Sequence, residues 1–182
     1  LLPAHSSRDP CRERVTASLE GKGHTVRVMG IDPGTRVVGY GVVEMRGNRI
    51  LPVTFGVVRA DMKGEYSVRL RSIHVGLTGV LRQYAPEVVA IEEAFYGESP
   101  SAALRMGEGR GVAIVAAALL DKPVFQYTPA EVKMAVVGNG RAHKCQVQEM
   151  VRVLLGLRSA PEPEDAADAV AVAICHCNRR PA

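Results

Sequence analysis

From Val26 the chain takes on a pattern: Val26, Val28 and Ile31 lead into Asp32-Pro33-Gly34-Thr35, which predicts a strand closed by a turn built on Pro and Gly. Val37–Met45 and Ile50–Ala60 are two more β-rich segments, and the tight polar turn Arg46-Gly47-Asn48-Arg49 between them predicts a hairpin. The period then changes. Tyr66, Leu70, Ile73, Leu77, Val80/Leu81 and Tyr84 recur at spacings of three and four, which is one apolar helix face, and Pro86 stops it. Val88–Ile91 is a continuous apolar run suited to a strand buried on both faces, and it ends in Glu92-Glu93.

Ser99–Leu120 reads as a helix with Ser99 as N-cap before Pro100. One face of it is small, with Ala102, Ala103, Gly107, Gly111, Ala113 and Ala116–Ala118. Gly inside a helix costs about 1 kcal/mol against Ala, an amount that close helix contact offsets. Pro123–Tyr127 is a fifth strand, Thr128 caps a short helix from Pro129, and Gly138-Asn139-Gly140 breaks that helix. His143–Leu155 forms the next helix, and the Pro and Glu loop Ala160–Glu164 precedes a last one, Asp165–Cys177. Three strands, a helix, a strand, a helix, a strand and then helices predict an α/β chain with a mixed sheet.

Composition narrows this only a little. The 182 residues are 47% hydrophobic and 23% charged, which fits one folded domain and excludes a disordered or collagen-like chain. A net charge of +4 permits an anionic partner without requiring one. Cys11, Cys145, Cys175 and Cys177 show no CxxC pair, so neither a zinc ribbon nor a disulfide framework is indicated and a reducing, cytoplasmic compartment fits. Cys175-His176-Cys177 is read as ordinary packing rather than a metal site. The longest apolar run, Val112–Leu120, is far short of the roughly 20 residues a bilayer requires. Residues 1–25 have no steady period and no apolar signal-like core. They are expected to be a poorly ordered N-terminal extension or an artefact of how the sequence was delimited, which leaves 26–182 as the folded domain.

Four carboxylates stand at telling positions: Asp32 where the first strand ends, Glu92 where the fourth ends, and Asp165 with Asp168 in the first turn of the last helix. Residues three apart on a helix share a face, and the ends of neighbouring strands in an α/β sheet lie side by side. A last helix packed across that edge brings all four acids together. Such a cluster raises its own pKa values unless a cation neutralises it, so the pattern implies a metal. With oxygen donors alone, hard Mg²⁺ or Mn²⁺ is favoured over zinc, and pairs of such ions serve phosphoryl chemistry. Taken singly, each acid has an ordinary structural use: Asp before Pro-Gly starts turns, and acids near a helix N-terminus favour its dipole.

Five ordered motifs carry a resemblance. They are Gly30-Ile31-Asp32-Pro33-Gly34-Thr35-Arg36 with Gly39-Tyr40-Gly41, Ala90-Ile91-Glu92-Glu93-Ala94-Phe95, Gly109-Arg110-Gly111-Val112-Ala113, Val132-Lys133 with Val136-Val137-Gly138, and Asp165-Ala166-Ala167-Asp168-Ala169. Together, over nearly all of Val28–Cys177, they resemble the RuvC family of Holliday junction resolvases. The resemblance implies an RNase H-like fold, with a five-stranded sheet of three antiparallel and two parallel strands flanked by helices. It implies a homodimeric, Mg²⁺-dependent endonuclease, with two ions per site, that nicks two like-polarity strands of a four-way DNA junction. It makes Asp32, Glu92, Asp165 and Asp168 the metal-binding catalytic carboxylates, Phe95 an aromatic that stacks on an unpaired base, and Lys133 and Lys144 contacts to the DNA backbone. RuvA and RuvB, the branch migration proteins, are the implied partners.

Charge agrees with that reading. Ser99–Ala160 holds eight Lys and Arg against four Asp and Glu, whereas Ala160–Asp168 holds four acids and no base. The sequence departs from the family at His143, where an acid is common, and at Cys145, where a small hydroxyl is common. Asp32-Pro33-Gly34-Thr35 also resembles the phosphate loop of actin-like ATPases and sugar kinases, but those require two such halves. The same acids and bases would also suit a nuclease of this fold acting on another nucleic acid, or a junction-binding protein without catalysis.

Overall fold

In a computed structural model of the chain, residues 25–93 and 100–179 are described. The expectations for the N-terminal extension, Cys11, Phe95 and the Ser99 cap lie outside these residues. Five strands run β1 (Thr25–Asp32), β2 (Val37–Arg46), β3 (Arg49–Arg59), β4 (Val88–Glu92) and β5 (Val124–Tyr127). The helices are α1 (Tyr66–Tyr84), α2 (Pro100–Ala118), α3 (Pro129–Val137), α4 (Lys144–Leu154) and α5 (Glu164–Asn178).

The sheet order is β3-β2-β1-β4-β5. β1 pairs antiparallel with β2, β2 antiparallel with β3, and the β1–β4 and β4–β5 pairs are parallel, as the element order predicts. Gly47, at φ 59°, takes the first turn position of the β2–β3 hairpin, where a two-residue turn favours glycine. Pro52 cannot donate to a ladder, and it falls on edge strand β3 where the register shifts opposite Val42 and Val43.

The alternation of side chains sends each strand residue to one of two helical layers. Met29, Ile31, Val89 and Ile91 bury against α1 and α2, together with Ile73, Leu77, Leu81, Ala113, Ala116 and Ala117. Val28, Val43, Ala90 and Tyr127 bury on the opposite face against α3, α4 and α5. Ala113, Ala116 and Ala117 of α2's small face are therefore core residues of this chain, while a Cβ at Gly107 or Gly111 meets nothing. The expected apolar face of α1 begins later than its first residue, because Tyr66 is 37% exposed. Cys175, His176 and Cys177 are all buried, and His176 Nδ1 is 2.8 Å from the Tyr127 hydroxyl, so the cluster packs as expected. No helix among the described residues is long and apolar enough to cross a membrane.

α5 lies unusually close to the sheet. A Cβ on Gly30 would collide with the Ala169 carbonyl oxygen, one on Gly39 with that of Asp165, and one on Gly41 with Val170. Every residue from Ala169 to Cys177 is buried, as expected of a helix covered on all sides. Gly30→Val is expected to lower the unfolding free energy by about 2 kcal/mol or more, through overpacking. Gly107→Ala should instead raise it by about 0.5–1 kcal/mol. Urea denaturation of the two variants checks this, and equal effects would contradict the close approach.

Candidate active site

Parity along the strands decides where the acids point. Asp32 follows Val28 and Gly30 on the face that carries α5, and Glu92 follows Ala90 on that same face. β1 and β4 are parallel and in register through Ile31 and Ile91, so the two carboxylates leave neighbouring strand ends side by side. Asp32 is also the partner of Gly39 in β2, and Gly39 lies under the Asp165 backbone. The close approach of α5 thus delivers Asp165, and one turn later Asp168, to the strand ends.

These carboxylates feel one another. Burial pushes Asp32 up from 3.8 to about 8, and the charges of Glu92, Asp168 and Asp165 push in the same direction against Lys144. Burial likewise lifts Glu92 from 4.5 to about 7, reinforced by Asp168 and opposed by Lys133 and Lys144. Asp168 is raised by burial and, more weakly, by Asp165 and Glu164, while its hydrogen bond to Lys144 works the other way.

The two lysines come from different helices. Thr128 caps α3 directly after β5 through a reciprocal pair with Glu131: the Glu131 amide donates to Thr128 Oγ1 at 3.2 Å, and the Thr128 amide donates to Glu131 Oε2 at 2.9 Å. That start places Lys133 in the same cleft as Glu92, Lys144 and Asp168, a space of about 180 Å³. His143, expected as the first helical residue, is instead the N-cap of α4, and its amide donates to Gln146 Oε1 at 2.9 Å. Lys144 is then the first residue of the helix, where the dipole disfavours a cation. Its counter-ions are on α5: Nζ lies 2.8 Å from Asp168 Oδ2 and 3.1 Å from Glu164 Oε2. Burial alone would lower the Lys144 pKa, but these hydrogen bonds outweigh it and the net shift is upward.

Glu164 as a partner of Lys144 is not apparent in the sequence, because the packing of α4 on α5 leaves no periodic trace. The glycines of β1 and β2 do leave a signal: Gly30, Gly39 and Gly41 inside strands mark a close backbone approach. Asp32, Glu92, Asp165, Asp168, Lys133 and Lys144 all come to one end of the sheet, and Phe95 lies outside the described residues. Among the described residues, no three His, Cys, Asp or Glu side chains form a group that would by itself hold a metal ion. The donor chemistry nonetheless fits a hard divalent cation, because two half-buried carboxylates are held back from ionising first by burial and then by acidic neighbours, and only oxygen ligands are present.

The crossover junction endodeoxyribonuclease RuvC family matches residues 28–176. The chain belongs to the RuvC family. Its relatives include the RuvC of Caldanaerobacter subterraneus subsp. tengcongensis, 48% identical over 84% of this chain and 93% of that protein. The Trichlorobacter lovleyi RuvC is 51% identical over 84% and 85% of the two chains. Among solved structures, Thermus thermophilus RuvC in complex with Holliday junction substrate matches with a TM-score of 0.79 and 38% identity, covering 84% of this chain and 93% of that one. The yeast mitochondrial Holliday junction resolvase, at 14% identity and a TM-score of 0.58, shares the fold. The RNase H-like sheet expected from the resemblance is thus the one observed.

Raised carboxylate pKa values fix the sign of a pH dependence. Folding favours the protonated forms of Asp32 and Glu92, so ionisation costs stability from the ordinary carboxylate range near pH 4 upward, and the cost is complete only above about 8. Without divalent cations, Tm is expected to fall as pH rises through this window, with a shallower fall for Asp32→Asn. Mg²⁺ or Mn²⁺ should raise Tm more at pH 8 than at pH 6. Differential scanning calorimetry checks both, and a flat profile unaffected by cation would contradict the coupled acids.

Proposed function

We propose that this chain is a structure-specific endonuclease that resolves four-way Holliday DNA junctions by symmetric, metal-dependent nicking of two like-polarity strands in recombination and repair. The observation that carries this reading is the convergence of Asp32, Glu92, Asp165 and Asp168 from three elements at one end of the sheet, beside a cleft that Glu92 and Asp168 share with Lys133 and Lys144. The four carboxylates would hold Mg²⁺ or Mn²⁺, two ions per site. Bound there, the ions supply the positive charge that activates a water and stabilises the leaving 3′ oxygen, giving 5′-phosphate ends.

The chain's own residues do the rest. β1 and β4 fix the directions of Asp32 and Glu92, and α5 sets Asp165 and Asp168 opposite them. Lys133 and Lys144 draw the phosphate backbone toward a cleft that would otherwise repel it. Asp168, which pairs with Lys144 here, would be one of the carboxylates holding the cation, and Lys144 Nζ would then serve the DNA backbone. Phe95, three residues past Glu92, stacks on an unpaired base at the junction centre.

Paired nicking requires two sites facing one junction, hence a homodimer. Its seam is α2 and the residue after it, where Leu104, Val115 and Leu119 recur on one side and are 71%, 50% and 69% exposed. RuvA and RuvB are the partners consistent with this activity.

Asp32→Asn is expected to lower junction cleavage by at least about a thousandfold while junction binding is kept or strengthened, because the repulsion between carboxylate and phosphate falls. Labelled junction, linear duplex and RNA/DNA hybrid incubated with Mg²⁺ or Mn²⁺ test this. Symmetric nicks on the junction alone are expected. Cleavage of the hybrid would change the substrate, and binding without cleavage would make the cleft a recognition site. Sedimentation should show a dimer that Leu119→Lys dissociates, and a wild-type monomer at working concentrations would contradict the seam.

A further inference from the structure

Past Asp32 the chain leaves the β1 ladder and turns through Pro33-Gly34-Thr35-Arg36 before β2 begins at Val37. Strand pairing holds Asp32 from one side only, so its direction also depends on what holds this turn. This turn meets α2. The helix backbone lies directly on Gly34: a Cβ on Gly109 would stand 2.5 Å from the Gly34 carbonyl oxygen and 2.7 Å from its carbonyl carbon. One residue before Gly109, the helix is also held by a tyrosine.

Tyr66, the first residue of α1, donates its hydroxyl to the Glu108 carboxylate, with the Thr35 side chain beside it. The Arg69 guanidinium lies 5.6 Å above the Tyr66 ring and fixes its plane. This accounts for Tyr66 leaving the apolar face on which the spacing of α1 placed it. A phenol donating to a carboxylate is a charge-assisted link, stronger than a neutral one.

We propose that Tyr66 is a positioning residue for Asp32, bracing through Glu108 the stretch of α2 whose Gly109 lies on Gly34 in the turn that follows this carboxylate. The inference rests on the reading of Asp32 as a catalytic carboxylate. Asp32 is then held by β1 and β2 before it and by α2 after it, and a small misplacement of a reacting group has a large effect on rate.

Single-turnover cleavage of a four-way junction at saturating enzyme and Mg²⁺ tests the clasp, with junction Kd and Tm measured on the same variants. Tyr66→Phe removes only the hydroxyl. It is expected to slow cleavage about tenfold, with Kd within about twofold of wild type and Tm unchanged within about 2 °C. Glu108→Ala should show a similar loss, the Tyr66→Phe/Glu108→Ala pair no more than either alone, and Glu108→Gln a recovery, since its amide oxygen still accepts. A wild-type rate for Tyr66→Phe would overturn the proposal, as would losses that multiply in the double variant or a weakened Kd that accounts for the slower rate. Asp32→Asn run in parallel separates the two claims. If it still cleaves, the catalytic assignment fails; if it is inactive while Tyr66→Phe cleaves at full rate, only the clasp fails.

Discussion

Helix α5 lies against β1 and β2 with no side chain between them at Gly30, Gly39 and Gly41, and the acidic end of the molecule is built on that contact. Were those positions occupied, the helix would be displaced and Asp165 and Asp168 would withdraw from the strand ends. The helix suits the place, since Ala166, Ala167, Ala169, Ala171 and Ala173 keep its girth small and its buried surface continuous. Small residues on both sides let one backbone rest on the other, and the same contact that completes the core assembles the site.

Bringing the acids together works against folding. Asp32 and Glu92 are held back from ionising first by burial and then by their neighbours, and the positive charge acting on them comes from Lys133 and Lys144. Lys144 illustrates the balance: at the unfavourable end of α4 it is held by Asp168 and Glu164, and the pair exists only because α4 packs on α5. Uncompensated negative charge at such a point is a cost to stability and a source of affinity for cations. A polyanion reaches that pocket because basic residues flank it.

Much of this is legible in the sequence, for identifiable reasons. Period-two alternation sets the parity of β1, and the apolar run ending at Glu92 marks the end of β4, so both strand-end acids can be placed without the structure. Capping chemistry locates the start of α3 at Thr128, whereas α5 begins at Glu164 after Pro163 with no side-chain cap, one residue before the start that the sequence suggests. Spacing alone assigns Tyr66 to the core, because nothing local reveals Glu108, 42 residues away, as its partner. The small face of α2 suits close contact with another helix, yet Ala113, Ala116 and Ala117 of it pack within the chain and the exposed Leu104 and Val115 lie elsewhere on the helix. Contacts between elements distant in sequence leave no periodic mark, and Lys144 with Glu164 is another example.

If the acids of α5 and those of the two strand ends form one cation site, a bound ion must touch both. Anomalous scattering from crystals grown with Mn²⁺ tests this most directly, since the ion is located without reference to activity. Density is predicted within about 2.0–2.3 Å of Asp32 and of at least one carboxylate on α5, with Lys144 Nζ withdrawn from Asp168. Density absent from this cleft, or ligated without any α5 carboxylate, would contradict it.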